Sequence, residues 1–329
     1  MLRLRDIKAY YQTPGAVVKA VDGVTLDVGE NEILGIAGES GCGKSTLLKV
    51  LYGSLEPPLK IVAGKVEAEL KNERGKPVTL GPREIRKHWW RFISYIPQGS
   101  MSVLNPVVRI EQQFLDAVSR KQQFTNKREI HERISSYLKE LQLSIEVLNA
   151  YPHQLSGGMR QRVLVALGTF LHPEIVLADE PTTALDVVTQ KGVLLMLAQA
   201  REQMKNSLVI VSHDIGLHYQ IAHRIAIMYN GKIVEVGPTE RVFEMPLHPY
   251  TQMLIQSLPR VGDHKHRQGI SGRPPSLIDP PAGCRFAARC PFVMDSCREE
   301  MPPLLEIEPD HFVACYLHRG PIQPGKGVR

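Results

Sequence analysis

Short apolar stretches, separated by glycine, proline or paired polar residues, dominate the first part of the chain. Leu4 to Tyr11, Val17 to Val21 and Val24 to Val28 read as strands. The turns Thr13-Pro14-Gly15 and Gly29-Glu30 set them apart, and their close spacing predicts an antiparallel meander. Glu32 to Ala37 is an apolar run suited to a buried parallel strand, and Leu47 to Leu51 continues as helix as far as Gly53. Alternation returns over residues 61–80, around Val66, Ala68 and Leu70, with a loop at Asn72 to Pro77. Ile93 to Ile96 is a further strand that ends at Pro97-Gln98.

From about 107 to 150 the period changes to that of a helix, with Ile130, Ile134, Leu138 and Leu141 on one face. This predicts an inserted helical subdomain, over about residues 99–170. Leu155-Ser156-Gly157-Gly158 opens another helix, and His172-Pro173 ends it. A strand at Glu174 to Leu177, a helix over 188–204 and a strand at Leu208 to Val211 follow. Such alternation means a parallel sheet. Asn230-Gly231 joins strands at Ile225 to Met228 and Ile233 to Val236 as a hairpin. Beyond about 258, Pro259, Gly262, Gly269, Gly272, Pro274-Pro275 and Pro280-Pro281 give the texture of a linker. There is no internal repeat.

At 329 residues the chain has room for one large domain or two moderate ones. Its 43% hydrophobic and 22% charged content is that of a globular protein. The net charge of +6 is spread along the chain. Its densest basic patch, Arg83 to Arg91, contains Trp89 and Trp90. Basic residues with aromatics can bind nucleic acid, but a solvated face beside a packed tryptophan pair is the commoner outcome. No apolar run reaches the ~20 residues of a spanning helix, and Met1 to Asp6 has no signal-peptide core. A cytosolic protein that docks on a membrane partner is therefore expected.

The first chemistry lies in Gly38-Glu39-Ser40-Gly41-Cys42-Gly43-Lys44-Ser45-Thr46, which reads as the phosphate-cradling pattern G-x-x-x-x-G-K-[ST]. It stands between a strand and a helix, as that motif requires. Glycines let successive N–H groups converge on one anion, and the helix adds its positive dipole end. Lys44 is placed to reach the β- and γ-phosphates, and the Ser45 hydroxyl to ligate Mg²⁺. Cys42 fills a variable position, where thiol modification should block nucleotide binding. Asp179 and Glu180 end an apolar strand. Asp179 suits Mg²⁺, and Glu180 suits the water that attacks the γ-phosphate. Ser156-Gly157-Gly158 can be a second anion-binding helix start, though taken alone it reads more readily as an ordinary serine N-cap. One triphosphate does not need both, so the second start is expected to serve the nucleotide of another subunit.

Taken together, these motifs resemble the ATP-binding subunit of an ABC transporter. Leu155 to Gln161 is similar to its signature motif, and Gln98 to its Q-loop glutamine. Thr183-Ala184-Leu185-Asp186 resembles its D-loop, and His213 its switch histidine. Tyr11 matches the aromatic that stacks on adenine, with Tyr10 one residue away. The resemblance implies a P-loop NTPase (RecA-like) α/β core with a parallel sheet, an antiparallel β subdomain and a helical subdomain. It implies an ATPase with Glu180 and His213 as catalytic residues. ATP would be bound by Tyr11, Gly38, Ser40, Gly41, Gly43, Lys44, Ser45, Thr46 and Gln98, and Mg²⁺ by Ser45, Gln98 and Asp179. Ser156, Gly157, Gly158 and Asp186 would contact ATP in trans, across a homo- or heterodimer of such subunits. Gln98 would link the nucleotide to the helical insertion, which touches one of two integral membrane permease subunits.

Gln98 to Pro106, and Arg241-Val242-Phe243 with His248-Pro249-Tyr250-Thr251, resemble the oligopeptide and dipeptide importers. Gly99 stands where that group usually carries an acidic residue. The implied task is import of peptides, or of a related solute such as an oligosaccharide or nickel, delivered by an extracytoplasmic binding protein. The implied place is the cytoplasmic face of the membrane. The domains would be 1–258, the ATP-binding domain, and 259–329, a small extension. The alternative is a soluble ABC ATPase acting on nucleic acid or ribosomes, disfavoured because the chain holds one cassette and no long coiled coil.

The extension holds Cys284, Cys290, Cys297 and Cys315, four of the chain's five cysteines, spaced C-x₅-C-x₆-C-x₁₇-C. A cytosolic setting disfavours disulfides, and four thiols in a short proline-rich segment suit a metal staple. The residues alone fit zinc, though without a C-x₂-C knuckle, or a [4Fe–4S] cluster. The resemblance to dipeptide-importer ATPases implies [4Fe–4S].

Overall fold

The computed structural model describes residues 1–71, 77–99, 103–119, 126–183, 185–258 and 269–318. Residues 72–76 of the expected loop, Ser100 to Ser102, Ala184, Pro259 and Gly262 lie outside them.

Two sheets organise the chain. The first is antiparallel, in the order β2-β1-β4-β5, from β1 (Leu2–Thr13), β2 (Ala16–Val28), β4 (Leu59–Lys71) and β5 (Pro77–Leu80). The predicted meander is therefore present, but the two expected strands at Val17 to Val21 and Val24 to Val28 are one. The reason is local: Gly23 takes φ +74° and absorbs an irregularity in the β1–β2 register, so the ladder runs on past it.

The second sheet has the order β11-β12-β10-β9-β3-β8-β7-β6. One half of it is β3 (Ile33–Ala37), β8 (Ser207–Val211), β7 (Ile175–Asp179) and the edge strand β6 (Ile93–Ile96), all parallel. β9 (Arg224–Tyr229) pairs parallel with β3, and β10 (Lys232–Pro238) returns antiparallel through Asn230-Gly231, as the hairpin signal predicts. β3, β7 and β8 are buried at every position, as strands covered on both faces must be. Alternate residues feed different cores. Val176, Ala178, Leu208 and Ile210 pack on the helical side, while Leu177, Val209 and Val211 pack toward the antiparallel sheet.

The helical side carries helices Ile110–Ser119, Lys127–Glu140 and Gly157–Thr169. Ile130, Ile134, Leu138 and Leu141 are all buried there, as their spacing predicts. The Arg83–Arg91 patch has a packing explanation: Trp89 stacks on Tyr52 at 4.4 Å, and the Arg86 guanidinium lies 5.0 Å over the Trp89 ring.

The proline- and glycine-rich span is not a loose linker where it is described. Asn230 Nδ2 donates to Pro275 O at 2.6 Å, and Lys19 N donates to Leu277 O at 2.8 Å. Residues lacking donors or side chains let this segment lie flat, while donors of the core satisfy its carbonyls. Beyond it, β11 (Leu305–Glu308) and β12 (His311–Val313) extend the main sheet from β10. The buried Glu235 carboxylate of β10 accepts from Leu247 N and His248 N, and pairs with His311 of β12 at 2.8 Å.

Candidate functional site: a nucleotide cleft at the strand ends

The functional side chains gather where the parallel strands end. The glycine-rich loop follows β3, Gln98 follows β6, Asp179 and Glu180 close β7, and His213 follows β8. The carboxyl ends of neighbouring strands form one crevice, the usual ligand position in an open α/β sheet.

Within the loop, Gly38 and Gly43 are obligatory for the fold. They take φ +150° and +108°, and a Cβ would meet Met228 O or Ala20 O at 2.0 Å. The helix Lys44–Tyr52 opens with no side-chain cap, so its first N–H groups stay available to an anion. Lys44 is 5% exposed, and its ammonium donates to Gly38 O at 2.8 Å and Glu39 O at 2.9 Å. It is thus folded back along its own loop, facing the cradle. Cys42 is buried with its sulfur 3.8 Å from Lys44 Nζ, and burial raises its thiol pKa, making it a poor nucleophile.

The cleft in front has a volume of about 420 Å³. Tyr11, Ser40, Gly41, Gly43, Lys44, Ser45, Thr46, Gln98, Glu180 and His213 line it, so ten of the expected residues meet at one place. Gly38 contributes its carbonyl from behind. Strand alternation separates the two tyrosines: Tyr11 Oη lies 3.2 Å from Thr46 Oγ1, while Tyr10 faces away and donates to Asp22 at 2.5 Å.

At the reacting end, Ser45 Oγ donates to Asp179 Oδ1 at 2.9 Å. A hydroxyl and a carboxylate at this spot, with phosphate oxygens beside them, are the hard oxygen donors that suit Mg²⁺. Glu180 accepts from Gln98 Nε2 at 3.0 Å, and His213 Nδ1 is 3.4 Å from the same oxygen. Glu180 also has φ +45°, a strained backbone that turns its side chain into the cleft.

Two contacts of this network are not foreseen in the sequence: Tyr95 carries no sequence signal, and Thr183 stands there only as part of the D-loop resemblance. Tyr95 Oη donates to Asp179 Oδ2 at 2.7 Å, and Thr183 Oγ1 donates to Glu180 at 2.8 Å. Tyr95 sits one strand away, and only the β6–β7 register brings it alongside; Thr183 shows its purpose only once Glu180's turn is known.

Ser156, Gly157, Gly158 and Asp186 do not line this cleft. Ser156 caps the helix Gly157–Thr169 by accepting from Met159 N at 3.3 Å. Asp186 caps the helix Val187–Met204, accepting from Val188 N, Thr189 N and the Thr189 hydroxyl. Those bonds hold its carboxyl below the ordinary aspartate pKa. Gly158 is required by packing, since a Cβ would strike Thr189 at 2.4 Å, but at Gly157 it would meet nothing within 4 Å.

The cysteines do come together. Cys284, Cys290, Cys297 and Cys315 line one small apolar cavity with His248 and Phe286. Burial pushes the thiols of Cys284 and Cys315 up to about 11. Among the described residues, no three His, Cys, Asp or Glu side chains are grouped so as to hold one metal ion.

Residues 21–183 match the family model for ABC transporters, and residues 234–297 match that for the C-terminal region of oligopeptide/dipeptide transporters. The chain is 38% identical over 320 residues to the dipeptide transport ATP-binding protein DppD of Caldanaerobacter subterraneus, covering 97% of each. This chain belongs to the ABC transporter family. Among other ABC relatives, the oligopeptide transport ATP-binding protein AppF of Bacillus subtilis is 33% identical over 329 residues, with 97% of each covered. The dimeric structure of the bacterial ABC transporter cassette MJ0796 superposes with a TM-score of 0.62 and 28% identity, covering 73% of this chain and 99% of that one. The chain is accordingly an ATP-binding ABC ATPase. No described helix is long and apolar enough to cross a membrane.

Proposed function

We propose that this ABC ATPase drives import of dipeptides or oligopeptides, working with two permease subunits at the cytoplasmic face of the membrane. One observation carries the mechanism: the cleft holds the phosphate cradle, Glu180 and His213, while Ser156 and Gly157 lie outside it, exposed. ATP is held by the loop Gly38 to Thr46, with its base against Tyr11. Ser45, Asp179 and Gln98 would hold Mg²⁺, which supplies charge neutralisation at the phosphates. Glu180 polarises the attacking water, with its carboxylate oriented by Gln98 and Thr183, and His213 faces the γ-phosphate. The Ser156-Gly157-Gly158 helix start and Asp186 of a second such subunit close over the nucleotide. A γ-phosphate offers contacts only to the closed pair, so binding and hydrolysis shift the dimer between states. Gln98 passes that shift to the helical insertion and the permeases.

The extension, residues 259–329, would carry a [4Fe–4S] cluster on Cys284, Cys290, Cys297 and Cys315. The four cysteines border one cavity, and the resemblance to dipeptide-importer ATPases favours the cluster over zinc. The cluster would act as a structural staple. The peptide substrate is supported by the C-terminal match and by the relatives' names. Vesicles holding this chain with its permeases test the whole proposal. ATP-dependent uptake of dipeptide, lost with Glu180→Gln, is expected. ATPase activity stimulated by RNA, with no uptake, would contradict it.

A further inference from the structure

The C-terminal segment 269–290 reaches the nucleotide site itself. Leu277 lines the ATP cleft beside Tyr11, Val18 and Ala20, at its apolar end. Its backbone is pinned there by the bond from Lys19 N to Leu277 O. Farther along, Arg289 forms a bidentate pair with Glu39, the second residue of the phosphate loop, at 2.8 and 2.9 Å. Its side chain is 4% exposed. All five guanidinium N–H groups have acceptors, since Nε donates to Ser271 O, Nη1 also to Tyr229 Oη and Nη2 also to Ile270 O. Lysine, with three donors and no fork, cannot replace that set.

Glu39 is therefore fixed at each of its polar groups. Arg289 takes the carboxylate, Tyr250 Oη accepts from its N–H at 2.9 Å, and its carbonyl accepts from Lys44. That carbonyl sets where the phosphate-binding ammonium rests. An Arg289 that fixes Glu39 thus fixes the angle from which Lys44 meets the phosphates.

We propose that the extension completes the ATP site: Arg289 is a positioning residue for the phosphate loop, and Leu277 is a contact for the base or ribose. The inference rests on the assignment of this cleft to ATP. The two contacts act at opposite ends of the nucleotide, so different ligands separate them.

The test is calorimetric binding of ATP, ADP and inorganic tripolyphosphate to the full-length chain. Arg289→Ala should weaken all three by about tenfold, the scale of a lost charge-assisted bidentate pair. Arg289→Lys should restore only part of that. Glu39→Gln, which replaces no residue of the extension, should weaken them by ~3–10-fold, and the double variant should be no worse than Arg289→Ala alone. Leu277→Ala should weaken ATP and ADP by about fivefold but leave tripolyphosphate unchanged. Lys44→Ala is the control. If it binds ATP as the wild type does, the cleft assignment fails. If it loses ATP while Glu39→Gln and Leu277→Ala both bind every ligand within twofold of wild type, the inference alone is overturned. Arg289→Ala is judged only if its melting temperature matches wild type; otherwise Glu39→Gln decides.

Discussion

Two glycine-rich helix starts can be compared within this chain, at Lys44 and at Gly157. Around the first, the fold itself demands glycine: a Cβ at Gly38 or Gly43 would run into backbone at 2.0 Å. Its lysine is buried, and side chains from four strand ends surround it. At the second, Gly157 faces open space and Ser156 is exposed. Nearby, Val187 and Val188 are 80% and 82% exposed at the start of the next helix. The first start is finished inside the chain. The second is capped by its own Ser156, lies outside the cleft, and has apolar side chains beside it that a partner surface would cover. The difference supports the proposed division of the ATP site between two surfaces of the molecule, which would meet only when two molecules do.

The largest effect that would sharpen the contrast lies at Glu180. Glu180→Gln should lower ATP turnover by ~10²–10⁴-fold, the scale of lost general-base catalysis, with ATP affinity unchanged. Turnover near wild type would remove Glu180 from that role. Next, Ser156→Arg should cut hydrolysis by about 10²-fold, as loss of a phosphate-stabilising donor does, yet leave ATP binding by the isolated chain unaltered. Equal loss of binding would place Ser156 in its own chain's site and break the comparison. Protein purified without oxygen should be brown, with about four irons per chain, and Cys290→Ser should bleach it. Colourless protein loaded with zinc would replace the cluster with a mononuclear site.

The smallest effect concerns the scaffold beneath the first helix start. His218 is fully buried against Gly35 of β3, and burial lowers its pKa to about 4. His248, buried beside the cysteines, is lowered to about 3 for the same reason. Both fold in the neutral form, so their contribution is complete above the ordinary histidine pKa of about 6.5 and is lost as pH falls below it toward 4. Urea unfolding at pH 5 should show stability on the order of 1–3 kcal/mol lower than at pH 7. His218→Gln should flatten that dependence, and an unchanged slope would exclude His218 as its source.

Much of this was legible in the residues because it is local. The phosphate loop is a contiguous pattern with a packing logic of its own, and strands such as Leu208 to Val211 declare themselves by unbroken apolarity. The helical insertion appeared through the spacing of Ile130, Ile134, Leu138 and Leu141. What escaped depends on register or on distant contacts. The continuity of β2 through Gly23 is set by its pairing with β1. Tyr95 reaches Asp179 through neighbouring strands, and Arg289 reaches Glu39 across 250 residues of chain. The proline-rich span looked like a linker because its composition reports a lack of donors, not whether the core supplies them.

Mixing two inactive variants tests the split site most directly. Lys44→Ala lacks the first surface and Ser156→Arg lacks the second. Alone, each should hydrolyse almost no ATP. Mixed in equal amounts, random pairing leaves one intact site in half of the dimers, so activity should return to about a quarter of wild type. A mixture as inactive as its components would contradict a site shared between two molecules.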